Sequence, residues 1–232
     1  MRTLDVSSYI DVVVEEGAEI GRLCRAGSAA AVRHCPDWTG ADLLAHLVAY
    51  QRFVTDLVAG TTTVGVELPD VGGAEALSVW DAEHAAFAEL LRGLDPATPV
   101  PNWSILPDVA DFWQRRSSQE FAVHRWDAGT TVADEPAPIR GNVARDGIEE
   151  YFDTLVDTAV AAGMPQAQHP ATLRYDLTDL DLVLERHIRA PGPVTTLRGT
   201  ASDLLLGLWH RRDATAYVVD GDRALIAAWP HV

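Results

Sequence analysis

Residues 38–60 read Trp-Thr-Gly-Ala-Asp-Leu-Leu-Ala-His-Leu-Val-Ala-Tyr-Gln-Arg-Phe-Val-Thr-Asp-Leu-Val-Ala-Gly. Thr39 suits an N-cap, and Asp42, three residues on, completes a short-armed capping box. Trp38 and Leu43 occupy the two positions of a hydrophobic staple. Gly60 is a natural stop. Between these signals Leu43, Leu47, Tyr50, Phe53, Val54 and Leu57 recur at helical spacing, with His46 among them. The segment predicts a helix over 40–59 whose apolar stripe includes an imidazole.

Working outward, residues 5–26 carry Ile10, Val13, Val14, Ala18 and Leu23 at helical period, and a break follows at 34–37. A third helix is expected over 74–92, stopped by Gly93. Pro96, Pro99, Pro101 and Pro107 make 94–107 a loop. A fourth helix spans 108–128. Four helices of this length joined by loops predict a bundle. After Gly129 a linker with Pro136 and Pro138 runs to about 141, and a helix over 143–162 follows. Residues 171–178 alternate, with Leu173, Tyr175 and Leu177 on one face and Arg174, Asp176 and Thr178 on the other, the pattern of a strand with one wet face. Further strands are expected at 181–188, 193–198 and 215–219. Thr200, with Asp203 at N3, caps another helix, and a last short helix covers 222–229. The fold class is α+β: a four-helix bundle over 1–138, then a small α+β domain over 139–232.

Among 232 residues, 34 are acidic and 18 basic, a net charge of −16, which argues against coating a phosphate backbone or an anionic membrane. Cys24 and Cys35 are the two cysteines and form no CxxC, which excludes a disulfide scaffold and a cysteine-rich zinc site. No signal-peptide pattern opens the chain, and no apolar run approaches the roughly 18 residues of a membrane span. The expectation is a soluble, cytoplasmic protein without nucleic-acid or membrane partners. Every basic residue is Arg and none is Lys, which fits a GC-rich genome.

Chemistry concentrates on the fourth helix. Glu120 and His124 stand one turn apart and share a face, with Arg116 and Asp127 close to it. His46, if turned inward, needs a partner for its ring nitrogens. Two imidazoles and one carboxylate match an open zinc site and also suit Fe(II). The same residues equally describe an ion pair on a solvated face and a satisfied core histidine, and spacing alone does not separate these readings. Cys35 lacks the basic or helix-N-terminal setting of a nucleophile and reads as a packed loop thiol. Cys24 reads as helix core, and Trp113 and Trp126 as core. His34, His84, His169, His187, His210 and His231 have no ligand-like spacing. No GxSxG, phosphate loop or GxGxxG is present.

Three stretches carry a resemblance. Cys35-Pro36-Asp37-Trp38-Thr39 with Asp42-Leu43-Leu44-Ala45-His46-Leu47 resembles the opening motif of the mycothiol-dependent maleylpyruvate isomerase family. Glu120-Phe121-Ala122-Val123-His124-Arg125-Trp126-Asp127-Ala128 is similar to that family's second motif, and 199–209 with Asp220-Gly221-Asp222 to its C-terminal domain. The resemblance implies a DinB-like bundle followed by a sterol-carrier-like α+β domain. It implies a divalent metal, typically zinc, held by His46, Glu120 and His124. Mycothiol would be the thiol cosubstrate and a small electrophile the substrate, in an isomerase or S-transferase reaction. Arg116 and Arg125, flanking the ligands, would meet a substrate carboxylate or pair with nearby acids. The alternative is a non-catalytic metal-binding or regulatory module of the same fold.

Overall fold

Thr39 opens α2 (Gly40–Ala59) as its sequence predicts: its side chain accepts from the Asp42 amide, and Asp42 answers the Thr39 backbone. Gly60 closes the helix in the left-handed conformation, at φ 70°. This is a computed structural model, and it describes residues 4–227. The chain divides into two units, Leu4–Ala137 and Pro138 onward.

The first unit is built from α1 (Val6–Ala26), α2, α3 (Gly73–Gly93) and α4 (Ala110–Gly129). Its core gathers Ile10, Ile20, Leu43, Leu44, Leu47, Trp80, Leu91, Trp113 and Phe121. α1 follows its sequence reading in extent and in burying Ile10, Val13 and Leu23, and departs from it at two positions. Val14 is 36% exposed and Ala18 is also outside, while Glu16, Gly17 and Gly21 face inward. The reason is close approach: a Cβ on Gly17 would lie 2.2 Å from the His84 ring, and one on Gly21 2.5 Å from Trp80. Trp80 and His84, one turn apart on α3 and stacked within 3° of parallel, fill the space that the two glycines leave. His84 is therefore core. Neither of its ring nitrogens makes a well-formed hydrogen bond, and burial lowers its pKa against smaller opposing contributions from the Val14 backbone and Asp81.

In the second unit the helix expected over 143–162 is interrupted. α5 (Gly141–Glu150) passes into a π-helical stretch, Tyr151–Val156, before α6 (Asp157–Ala161). A single mixed sheet follows, in the order β2-β1-β3-β4. β1 (Ala171–Leu177) pairs antiparallel with β2 (Leu182–Ile188) and parallel with β3 (Val194–Gly199). β4 (Val218–Asp220) pairs antiparallel with β3 and starts later than the expected 215–219. Leu173, Tyr175 and Leu177 are buried as their alternation predicts, and Phe152 of the π stretch lies 5.7 Å from the Tyr175 ring. Thr200 caps α7 (Ala201–Leu208), accepting from the Asp203 amide. α8 (Ala224–Ala227) matches part of the helix expected over 222–229; Asp222 and Arg223 precede it outside the helix, and 228–229, with His231, lie outside the described residues.

Gly17→Ala should lower the thermal midpoint of the helical unit by at least about 2 °C, since overpacking typically costs 1–3 kcal/mol and outweighs the gain in helix propensity. Calorimetry checks this. His84, held below its ordinary value of 6.5, contributes stability that is present above that pH and lost as pH falls below it. Melting curves on the acid side should therefore fall more steeply for the wild type than for His84→Phe.

Candidate metal centre

α4 carries more polar and charged residues than apolar ones, yet only Asp111 and Glu120 of its twenty residues are not buried. Its polar side chains must therefore find partners within the protein. Glu120 finds three. Its Oε1 lies 3.1 Å from His46 Nε2 and 3.3 Å from His124 Nε2, and its Oε2 accepts from Arg116 at 2.8 Å. His124 uses its other nitrogen as well, with Nδ1 3.0 Å from Asp127 Oδ2. The His46 and His124 rings meet edge to face, their centroids 5.2 Å apart.

The two imidazoles expected from sequence and the one carboxylate thus converge. The His46 side chain is 24% exposed, that of Glu120 15% and that of His124 11%, so the cluster is most open at His46 and has its closed side at His124. Trp38 stands beside the open side, its ring 5.0 Å from that of His46. Tyr50, one turn after His46, meets Ser117 at 3.0 Å and ties α2 to α4 below the cluster.

Electrostatics follow from this packing. Burial alone would raise the Glu120 carboxyl, but His124, His46 and Arg116 outweigh it and hold it well below the usual carboxylate range. Burial alone would lower His124, but Glu120 and Asp127 outweigh it and push it up to about 9. Arg116 and Arg125 are both buried and engaged: Arg116 with Glu120, Arg125 with Glu16 of α1 at 2.8 Å and with the Ala137 carbonyl. They frame the cluster rather than project from it. Glu16 is the partner that a search for apolar periodicity misses; its signal is its place beside Gly17 on the inner face of α1.

The donor set fits a cation. Ligands of a tetrahedral zinc at 2.0–2.1 Å stand about 3.3 Å from one another, close to both carboxylate–imidazole separations seen here. A second group of donors, Cys35, His124 and Asp127, lies on the closed side. Elsewhere, a cavity of about 580 Å³ in the second unit is lined by residues including Phe152, Val156, Met164 and Ile188, and its Arg186 is held by Asp153 and Asp157. Among the described residues, no metal-ligand group lies there.

Family comparison bears on both units. The model of the mycothiol maleylpyruvate isomerase N-terminal domain matches residues 14–129, and that of the family's C-terminal domain matches 142–228. The chain belongs to the mycothiol-dependent maleylpyruvate isomerase family. Its fold agrees. A crystal structure of the mycothiol-dependent maleylpyruvate isomerase superposes with a TM-score of 0.65 at 14% identity, over 95% of each chain. A histidine-to-alanine variant of that isomerase gives 0.64 at 13% identity, again over 95% of each. No curated protein matches the chain in sequence. Within the family fold, His46 comes from α2 and Glu120 and His124 from α4, on the two helices whose motifs carry the sequence resemblance. No described helix is long and apolar enough to cross a membrane.

A cation bound through His124 Nε2 must displace a proton that its neighbours hold up to about pH 9. Binding should therefore release protons and strengthen as pH rises from about 6 to 8. Zinc titrations by calorimetry in buffers of different ionisation enthalpy would show this as a buffer-dependent heat.

Proposed function

We propose that the chain is a metal- and mycothiol-dependent isomerase that acts on a small electrophilic cis alkene. The convergence of His46 Nε2, Glu120 Oε1 and His124 Nε2, in a chain of this family, carries the reading. A divalent cation such as zinc would be held by these three side chains and would supply the Lewis acidity that keeps a bound thiol as thiolate near neutral pH.

The chain's own residues prepare that setting. Arg116 holds Glu120 Oε2, leaving Oε1 turned towards the two imidazoles. Asp127 takes the Nδ1 side of His124 and so favours the tautomer whose Nε2 carries a lone pair. The burial of His124 and Asp127 keeps water from the closed side, and the exposed edge of His46 beside Trp38 is where a thiol and a substrate reach the cluster. Isomerisation then asks for a nucleophile that can add and leave. Addition turns the double bond into a single one, the bond rotates, and elimination restores the alkene in the trans form with the thiol unchanged.

Metal analysis of protein purified without added metal should find near-stoichiometric zinc, absent from His46→Ala/His124→Ala. Mycothiol-dependent isomerisation of maleylpyruvate should fall at least about 100-fold in that variant, beyond the 10–100-fold typical of residues that merely orient ligands. A stable thioether product would instead mark an S-transferase. Bound zinc with no thiol-dependent turnover would mark a non-catalytic module and overturn the proposal.

A further inference from the structure

Cys35 is a buried thiol that the reaction above does not use, and it lies against the closed side of the metal centre. Its Sγ is 3.8 Å from Asp127 Oδ2, the same oxygen that lies 3.0 Å from His124 Nδ1. Asp127 is fully buried. A carboxylate in that setting takes its orientation from its donors, and one of them is a thiol supplied by a loop.

The loop is built to hold it there. The Val32 amide donates to the Trp38 carbonyl at 2.8 Å and the Trp38 amide to that of Cys35 at 3.1 Å. Ala31 and Thr39 bridge across its base. Asp37 turns the chain at φ 67°, a left-handed conformation that Asp tolerates better than most residues. The Arg33 amide donates to Thr130 Oγ1 at 3.1 Å, which fastens the loop to the end of α4 just beyond Asp127.

We propose that Cys35 is a positioning residue: through Asp127 its thiol fixes the orientation and tautomer in which His124 presents Nε2 to the metal centre. The inference rests on the metal-centre reading above. A neutral imidazole has one N–H and one lone pair. With Nδ1–H directed at Asp127, the lone pair falls on Nε2, facing Glu120. The competing arrangement has Cys35, Asp127 and His124 Nδ1 as ligands of a cation of their own. It would take the lone pair to the other nitrogen and leave Nε2 as a donor, so one neutral His124 cannot serve both.

The test compares zinc affinity, measured by competition with a chromophoric chelator, and the visible spectrum of the cobalt(II)-loaded protein. Cys35→Ala should bind zinc about 10-fold more weakly, the lower end of the range for residues that orient metal ligands, and should shift the cobalt bands. Cys35→Ser, which restores a donor, should recover part of the loss. Cys24→Ala removes another buried thiol, from α1, and should keep wild-type affinity. If Cys35→Ala does not fold, Cys35→Val keeps the volume, lacks the donor and takes its place. Unchanged affinity without the donor, or a serine variant no better than alanine, would overturn the proposal. So would a thiolate-to-cobalt charge-transfer band in the wild type that disappears with Cys35, since the thiol would then be a ligand. Failure of the underlying reading looks different: His46→Ala/His124→Ala would bind zinc as tightly as the wild type.

Discussion

A polar helix buried on nearly every side is the constraint that organises the bundle. Each buried polar group left without a partner costs about 1–3 kcal/mol, and α4 carries many. Every neighbouring element meets part of that demand. α1 turns Glu16 inward to Arg125. α2 offers His46 to Glu120 and Tyr50 to Ser117. The end of α3 gives the Leu91 and Leu94 carbonyls to Gln114. The loop before α2 accounts for Thr130. Each of these elements therefore supplies polar partners as well as apolar packing.

Such a network is a poor way to gain stability. A well-packed apolar core of the same volume typically does as well or better than buried ion pairs. What the network provides is placement. Glu120 is held by a buried guanidinium on one oxygen and by two imidazoles on the other, with little freedom left in its side chain. Arginine is suited to that role because it keeps its charge when buried, whereas a lysine in the same place shifts its pKa readily.

How far the sequence could be read follows from which physical signals it writes locally. α2 is legible because its cap, stripe and stop are all within one segment, and β1 because its alternation is unbroken. The buried face of α1 is legible only in part: Ile10, Val13 and Leu23 are inside as their period predicts, but glycines and an ion-paired glutamate take other inner positions and leave Val14 and Ala18 outside. Apolar periodicity has no means of registering a glycine that makes room for Trp80 or His84. The π stretch at Tyr151–Val156 is hidden for a related reason: the helical pattern of 143–162 continues through it. In the candidate metal centre, Glu120 and His124 show themselves by one-turn spacing and His46 by sitting in an apolar stripe. Cys35 and Asp127, 92 residues apart, meet only through the fold.

The capping of α2 has one more consequence. Thr39 and His46 are seven residues apart, close to two full turns at 3.6 residues each, so cap and imidazole lie along the same side of the helix. The loop that ends at the cap therefore stands on the same side as the exposed edge of His46, with Trp38 at the approach. The cluster and its approach are thereby drawn from different parts of the chain. Two helices hold its three side chains, and a short loop places Trp38 beside His46. Substitutions at the outward-facing positions of that loop leave the helices that carry the cluster as they are.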